Sequence, residues 1–140
     1  MTDFNLTRFV EAQDADYDAA LAEIRSGRKR SHWMWYVFPQ IAGLGTSPTS
    51  QHFAITSLGE ARAYLAHPIL GSRLIACSEA LLVIEGRSAH DIFGSPDDMK
   101  LRSSMTLFAQ VSPAGSVFER VLGKYFDGRP DDRTIGLVQR

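Results

Sequence analysis

The amino-acid sequence predicts an all-α fold, a compact single domain over residues 1–140 with about six to eight helices of mixed length in a non-bundle arrangement. Three observations predict it. Apolar residues recur at spacings of three and four along most of the chain. Glycines, prolines and short polar residues fall at the ends of those runs, where helices start and stop. No run alternates apolar and polar residues as a half-buried strand does.

The first helix is written in Leu6, Phe9, Val10, Tyr17, Ala20, Leu21 and Ile24, with Gly27 ending it. Its register puts Gln13 on the apolar stripe, so an amide is expected to point inward and to need hydrogen-bond partners. Ser31 is placed to cap a short helix from His32 to Val37 that Pro39 ends. The stretch 42–50 carries Gly, Ser and Pro densely enough to read as a loop. Ser57 then caps a helix through Glu60, Ala61, Tyr64 and Leu65, interrupted at His67-Pro68, with Pro68 opening the next helix.

That next helix is predicted to be central. Leu70, Leu74, Cys77, Leu81 and Ile84 form its stripe, widened by Ile75, Leu82 and Val83, and Gly86 stops it. A short turn of helix from Ala89 to Phe93 ends at Gly94. Ser95 and Asp98 then resemble a capping box, with Pro96 at the first helical position and a helix from Met99 to Val111. Phe118, Val121, Leu122 and Tyr125 give a further amphipathic helix closed near Gly128, and Asp131 or Asp132 caps a last short one through Leu137 and Val138.

Composition excludes several functional classes. Fifteen basic against sixteen acidic side chains leave a net charge of -1, so no global field draws the chain to nucleic acid or to an anionic membrane. No apolar run approaches the ~20 residues of a membrane span. Met1-Thr2-Asp3-Phe4-Asn5 lacks the basic and apolar regions of a signal peptide, and the one cysteine, Cys77, lies in an apolar run as an inert thiol. A cytoplasmic, reducing location is the expectation. His32, His52, His67 and His90 are too scattered for a metal site, and no cofactor motif is present.

Two segments carry candidate chemistry. The stretch 27–40 packs Arg28, Lys29, Arg30 and His32 among Trp33, Trp35, Tyr36 and Phe38, and cations beside rings suit a planar or nucleotide-like anion. The plainer reading makes the rings core and leaves Arg28 and Arg30 solvated after a helix end. In the second segment Asp97, Lys100 and Ser104 share one helix face, so Lys100 can bind an anion or polarise Ser104 as a nucleophile; the plainer reading is a surface Asp97–Lys100 pair with serines that let helices approach. Gly43-Leu44-Gly45-Thr46-Ser47 lacks the ending of a phosphate-binding loop and reads as a turn or lid.

The blocks Ser31 to Gln40, Gly43-Leu44-Gly45, Glu60-Ala61, Tyr64-Leu65, His67-Pro68 with Leu70-Gly71, and Lys100-Leu101 with Ser103 to Phe108 together resemble the DUF1810 family. The resemblance runs from about Phe4 to Leu137. It implies a compact all-α fold similar to one first seen in a mycobacterial protein, and no established activity. The expectation for function is a binding or enzymatic pocket for a small anionic or nucleotide-like ligand, built from Lys29, His32, Trp33, Trp35, Gln40, Lys100 and Ser104. The alternative is a structural or protein-interaction module in which the rings with Met34, Met99 and Met105 fill the core or meet a partner.

Overall fold

The computed structural model describes residues 4–139; Met1 to Asp3, part of the stretch read above for a signal peptide, lie outside it. Among the described residues there are nine helices and no strand, only one parallel bridge between Ile41 and Ile55. The helices are α1 (Thr7–Arg25), α2 (Met34–Val37), α3 (Pro48–His52), α4 (Leu58–Ala66), α5 (Leu70–Leu82), α6 (Ala89–Phe93), α7 (Asp97–Ala109), α8 (Val117–Phe126) and α9 (Asp132–Val138). The helix beyond the expected range is α3: Ser47 accepts from the Ser50 amide and Pro48 fills the first turn, so cap chemistry wins inside a stretch that composition marks as loop.

Two helices organise the rest. Helix α5 packs against α1, α4 and α8, and α7 packs against α4, α6, α8 and α9. Leu70, Leu74, Cys77 and Leu81 of α5 are buried as their stripe predicts. Ile75 and Val83 are not: they are 39% and 76% exposed, because the three partner helices cover only the Leu70 to Leu81 side. The helix also stops at Leu82, short of Gly86, and α8 satisfies the carbonyls left free at its end. Tyr125 Oη donates to Leu81 at 2.6 Å, and Lys124 Nζ donates to Leu82 at 2.7 Å and to Ile84. Burial pushes the Cys77 thiol up to about 12, which removes the thiolate needed for reactivity near neutral pH.

Local cap chemistry is confirmed at some helix starts and overruled at others. Ser57, Ser88, Ser116 and Asp131 each accept an amide from the first turn of the helix they precede. Ser31 does not cap α2; its hydroxyl donates to Glu23 instead, at 2.7 Å. Ser95 does not cap α7 either, because the Gly94 and Pro96 carbonyls take the first-turn amides and Asp98 Oδ1 accepts from Met99. Pro68 precedes α5 rather than opening it, and His67 Nδ1 accepts the Ile69 and Leu70 amides at 3.2 and 3.3 Å.

The inward Gln13 finds its partners. It is 1% exposed, and its amide donates to the Tyr36 carbonyl at 2.6 Å and to Tyr64 Oη at 2.8 Å, joining α1, α2 and α4. A second polar knot is buried Glu60, which accepts from the Thr56 amide at 2.7 Å and pairs with Arg8 at 3.0 Å. No helix among the described residues is long and apolar enough to cross a membrane.

Candidate functional site

The site is built by a strap, residues 26–33, that runs from the end of α1 to α2. Glu23 clamps it: one carboxylate oxygen accepts the Arg30 and Ser31 amides at 2.7 and 2.9 Å and the Trp33 indole at 2.9 Å. The Lys29 amide ties the strap to the Ile92 carbonyl at 2.7 Å. Partial burial pushes the Glu23 carboxyl up, but the hydrogen bonds from Arg30, Ser31 and Trp33 outweigh it and hold the group at about 2.

A folded value below the ordinary carboxylate range means that the unfolded chain binds the proton more readily. Glu23 therefore contributes stability above the ordinary value of 4.5 that is lost as the pH falls toward about 2. Glu23→Gln is expected to flatten the acid limb of a pH–stability curve in that window. An acid limb identical to that of the parent protein would show that the clamp adds nothing.

With Trp33 clamped, the two tryptophans are parted. Residues two apart on a helical turn point about 200° from each other, so one of them faces the core and the other faces away. Trp33 is fully buried, its ring 6.3 Å from both Phe38 and Phe93. Trp35 instead lines a cavity of about 480 Å³.

The cavity has four walls. Trp35 forms one; the segment Gln40 to Gly45 forms the second; Phe53, Ala54 and Thr56 form the third; and Met99, Lys100 and Ser103 of α7, with Asp131 and Arg133 at the start of α9, form the fourth. The bridge at Ile41 holds the second and third walls in register through Ile55 N–H to Gln40 and Ala42 N–H to Ile55, both 2.8 Å. A side chain at Gly45 would be resisted there, since a Cβ would stand 2.8 Å from the Ser50 Cβ, which cannot rotate away. Arg102 fixes the approach to α9 by donating to the Arg129 and Pro130 carbonyls, each at 2.9 Å.

The electrostatic centre is a shared carboxylate. Asp97 Oδ1 pairs with Lys100 at 2.9 Å and Asp97 Oδ2 with Lys29 at 2.9 Å. Lys100 Nζ lies 3.8 Å from the centroid of the Trp35 ring, within cation–π range. Burial raises the affinity of Asp97 for its proton, but the hydrogen bonds and charges of Lys29 and Lys100 outweigh it and hold the carboxyl below its usual range. On the far wall Asp131 Oδ2 accepts from the Thr134 amide at 3.0 Å and from Ser103 Oγ at 3.3 Å. Arg133 donates to the Gly43 carbonyl at 3.2 Å and has no carboxylate partner among the described residues.

The residues singled out in the sequence are distributed unevenly around this cavity. Trp35, Gln40 and Lys100 line it. Lys29 stands behind Lys100, joined to it through Asp97, so the Asp97–Lys100 pair is part of a three-residue cluster rather than a simple surface pair. Trp33 belongs to the core, and His32 is exposed and does not line the cavity. Ser104 is fully buried away from the lining, and its hydroxyl is a buried side-chain oxygen without a hydrogen-bond partner. Its neighbour Ser103 occupies the position expected of it, since residues three and four beyond Lys100 both lie near the same face. The pairing of Lys100 with a polarised Ser104 is therefore not formed.

Asp131 and Arg133 are lining residues that sequence reasoning missed as site residues; their chain positions carry a helix-cap signal and nothing that points to a cavity. Phe53 and Met99 were likewise unassigned to a site, although Met99 is 45% exposed at the cavity. Among the described residues no group of three or more His, Cys, Asp or Glu side chains is placed to hold a metal ion.

No curated relative matches the chain. The fold is similar to the crystal structure of the conserved hypothetical protein Rv1873 from Mycobacterium tuberculosis, at 50% sequence identity, a TM-score of 0.96 and coverage of 98% of each chain. The family model described as "Protein of unknown function (DUF1810)" matches residues 3–138, nearly the whole length, and the chain therefore belongs to the DUF1810 family.

Proposed function

We propose that this protein binds a small anionic organic ligand in the cavity between α2, the Gln40 to Thr56 segment, α7 and α9. The observation that carries the reading is the convergence of Lys100, stacked on Trp35, with apolar walls around a hollow of about 480 Å³. That volume lies within the range of small-molecule sites, and predominantly apolar walls with a few polar groups are their usual chemistry. Enclosure strengthens the attraction between a cation and an anionic ligand relative to open water. The reading is one of binding: the lining hydroxyls of Ser50, Thr56 and Ser103 donate to the Ser47 carbonyl, the Glu60 carboxylate and the Met99 carbonyl at 2.9, 3.0 and 3.1 Å, with no imidazole on any of them.

A thermal-shift screen against a library of acidic metabolites tests the reading. A ligand at a hundred times its dissociation constant stabilises the fold by about 2.7 kcal/mol. The stabilising compounds are expected to lose at least about tenfold in affinity with Lys100→Met or Trp35→Ala, each checked for an intact helical circular-dichroism spectrum. Hits whose affinity is untouched by both changes would place the binding elsewhere and end the proposal.

A further inference from the structure

We infer that the ligand is an aromatic monocarboxylate rather than a nucleotide or another phosphate ester; this deepens the proposed binding reading and rests on it. The charge at the cavity favours a monoanion. Lys29, Lys100 and Arg133 face Asp97 and Asp131 at or just behind the lining, which leaves a surplus of one positive charge. One carboxylate matches that surplus, whereas a phosphate monoester brings close to two negative charges.

A phosphate also finds no free cradle of helix amides among the described residues that line the cavity. Phosphates commonly sit on the amides at a helix N-terminus. The helix starts beside this cavity are already occupied by acid: α7 begins with Asp97, whose carboxylate is held by Lys29 and Lys100, and α9 is capped by Asp131, whose carboxylate accepts the Thr134 amide. A phosphate monoester, with close to two negative charges, would be repelled by these carboxylates more strongly than a monocarboxylate, with one.

The walls suit the body of such a ligand. The lining combines the rings and aliphatic surface of Trp35, Ile41, Leu44, Phe53 and Met99 with the amides of Gln40 and Gln51 and with hydroxyls of Ser50, Thr56 and Ser103 that already donate within the protein, so a flat ring finds more contact there than a sugar. A flat ring system ending in one carboxylate satisfies both the walls and the charge. The carboxylate then reaches the Lys100 ammonium, two of whose three N–H donors are left over after Asp97, or the Arg133 guanidinium.

Isothermal titration calorimetry of the full chain with naphthylacetate, naphthylacetamide and naphthyl phosphate tests this inference. The acid is expected to bind at least about tenfold more tightly than the amide and the phosphate. Lys100→Met should erase that preference; if this variant fails to fold, Arg133→Met, an exposed site, should reduce it instead. An amide that binds as well as the acid overturns the charge assignment while leaving a ligand cavity in place. A phosphate that binds more tightly than the acid overturns the monocarboxylate class while leaving an anion site. Preference for the acid that persists in both variants moves the carboxylate away from these cations and overturns the inference. Absence of binding by every probe at millimolar concentration overturns this inference, and absence of any hit in the wider acidic library as well overturns the binding reading beneath it.

Discussion

Replacing Gly71 with alanine is expected to lower the free energy of unfolding by about 3 kcal/mol, near the upper end for one added methyl group. Gly71 is the second residue of α5, and a Cβ built on it would stand 2.1 Å from the Leu65 carbonyl oxygen of α4. The obstacle is backbone rather than a side chain that can rotate away, so the two helices must separate for the methyl to fit. Separation is opposed by the joint between them, where the Gly71 amide donates to His67 at 3.0 Å and His67 Nδ1 accepts the amides of Ile69 and Leu70. Urea denaturation measures the change, with an unaltered m-value confirming that the same cooperative unit unfolds. Gly123→Ala in α8 is the matched control: nothing lies within 4 Å of its would-be Cβ, and removing a helix-interior glycine should stabilise by roughly 0.5–1 kcal/mol. A loss below about 1 kcal/mol at Gly71 would mean that the α4–α5 joint yields to the methyl group.

Gly71 also marks what a single chain of letters conceals. Its position near the start of a strongly periodic helix is plain, but the Leu65 carbonyl that forbids a side chain there belongs to another helix. The same division runs through the whole molecule. The apolar stripe of α1, the inward amide of Gln13, the bounds of α6 and the caps at Ser57 and Asp131 depend on residues within a few positions of one another, and they are readable in order. Ser31 and Ser95 carry the same local signals and fail as caps, because Glu23 claims one and neighbouring backbone carbonyls displace the other.

The candidate site follows this rule. Aromatic and cationic residues crowded into 27–40 mark the correct region, and Lys100 meets Trp35 across the fold, but periodicity cannot say which tryptophan turns inward. Glu23 decides that by taking the Trp33 indole N–H, and Trp35 follows from the helical turn. Ser103 and Ser104 are equally plausible neighbours of Lys100 on a bare helix, and only the packing of α7 against α4, α8 and α9 separates a lining hydroxyl from a buried one. Asp131 and Arg133 reach the cavity because Arg102 anchors the turn before α9, a contact with no local signature.

Asp97→Asn is expected to destabilise the fold by about 2–3 kcal/mol, below the figure for a fully buried ion pair because the group retains some solvent contact. The side chains of Lys29, Asp97 and Lys100 are 8%, 19% and 18% exposed, so neither ammonium is well hydrated when the carboxylate charge is removed. The amide keeps a similar shape but has one carbonyl oxygen to share between two cations that now repel each other. Because the folded Asp97 carboxyl lies below its usual range, its contribution is present above the ordinary carboxylate value and fades as the pH falls through the lowered one. Acidification should therefore narrow the gap between the parent protein and Asp97→Asn. Lys29 is the more deeply buried cation, and adding Lys29→Met to Asp97→Asn should recover part of the loss by removing a charge that has no partner. A double-mutant cycle then gives a coupling well above the ~0.5 kcal/mol within which independent sites add. Additive losses at the two positions would show that Asp97 holds Lys29 and Lys100 by geometry alone, and the electrostatic account of this cluster would be abandoned.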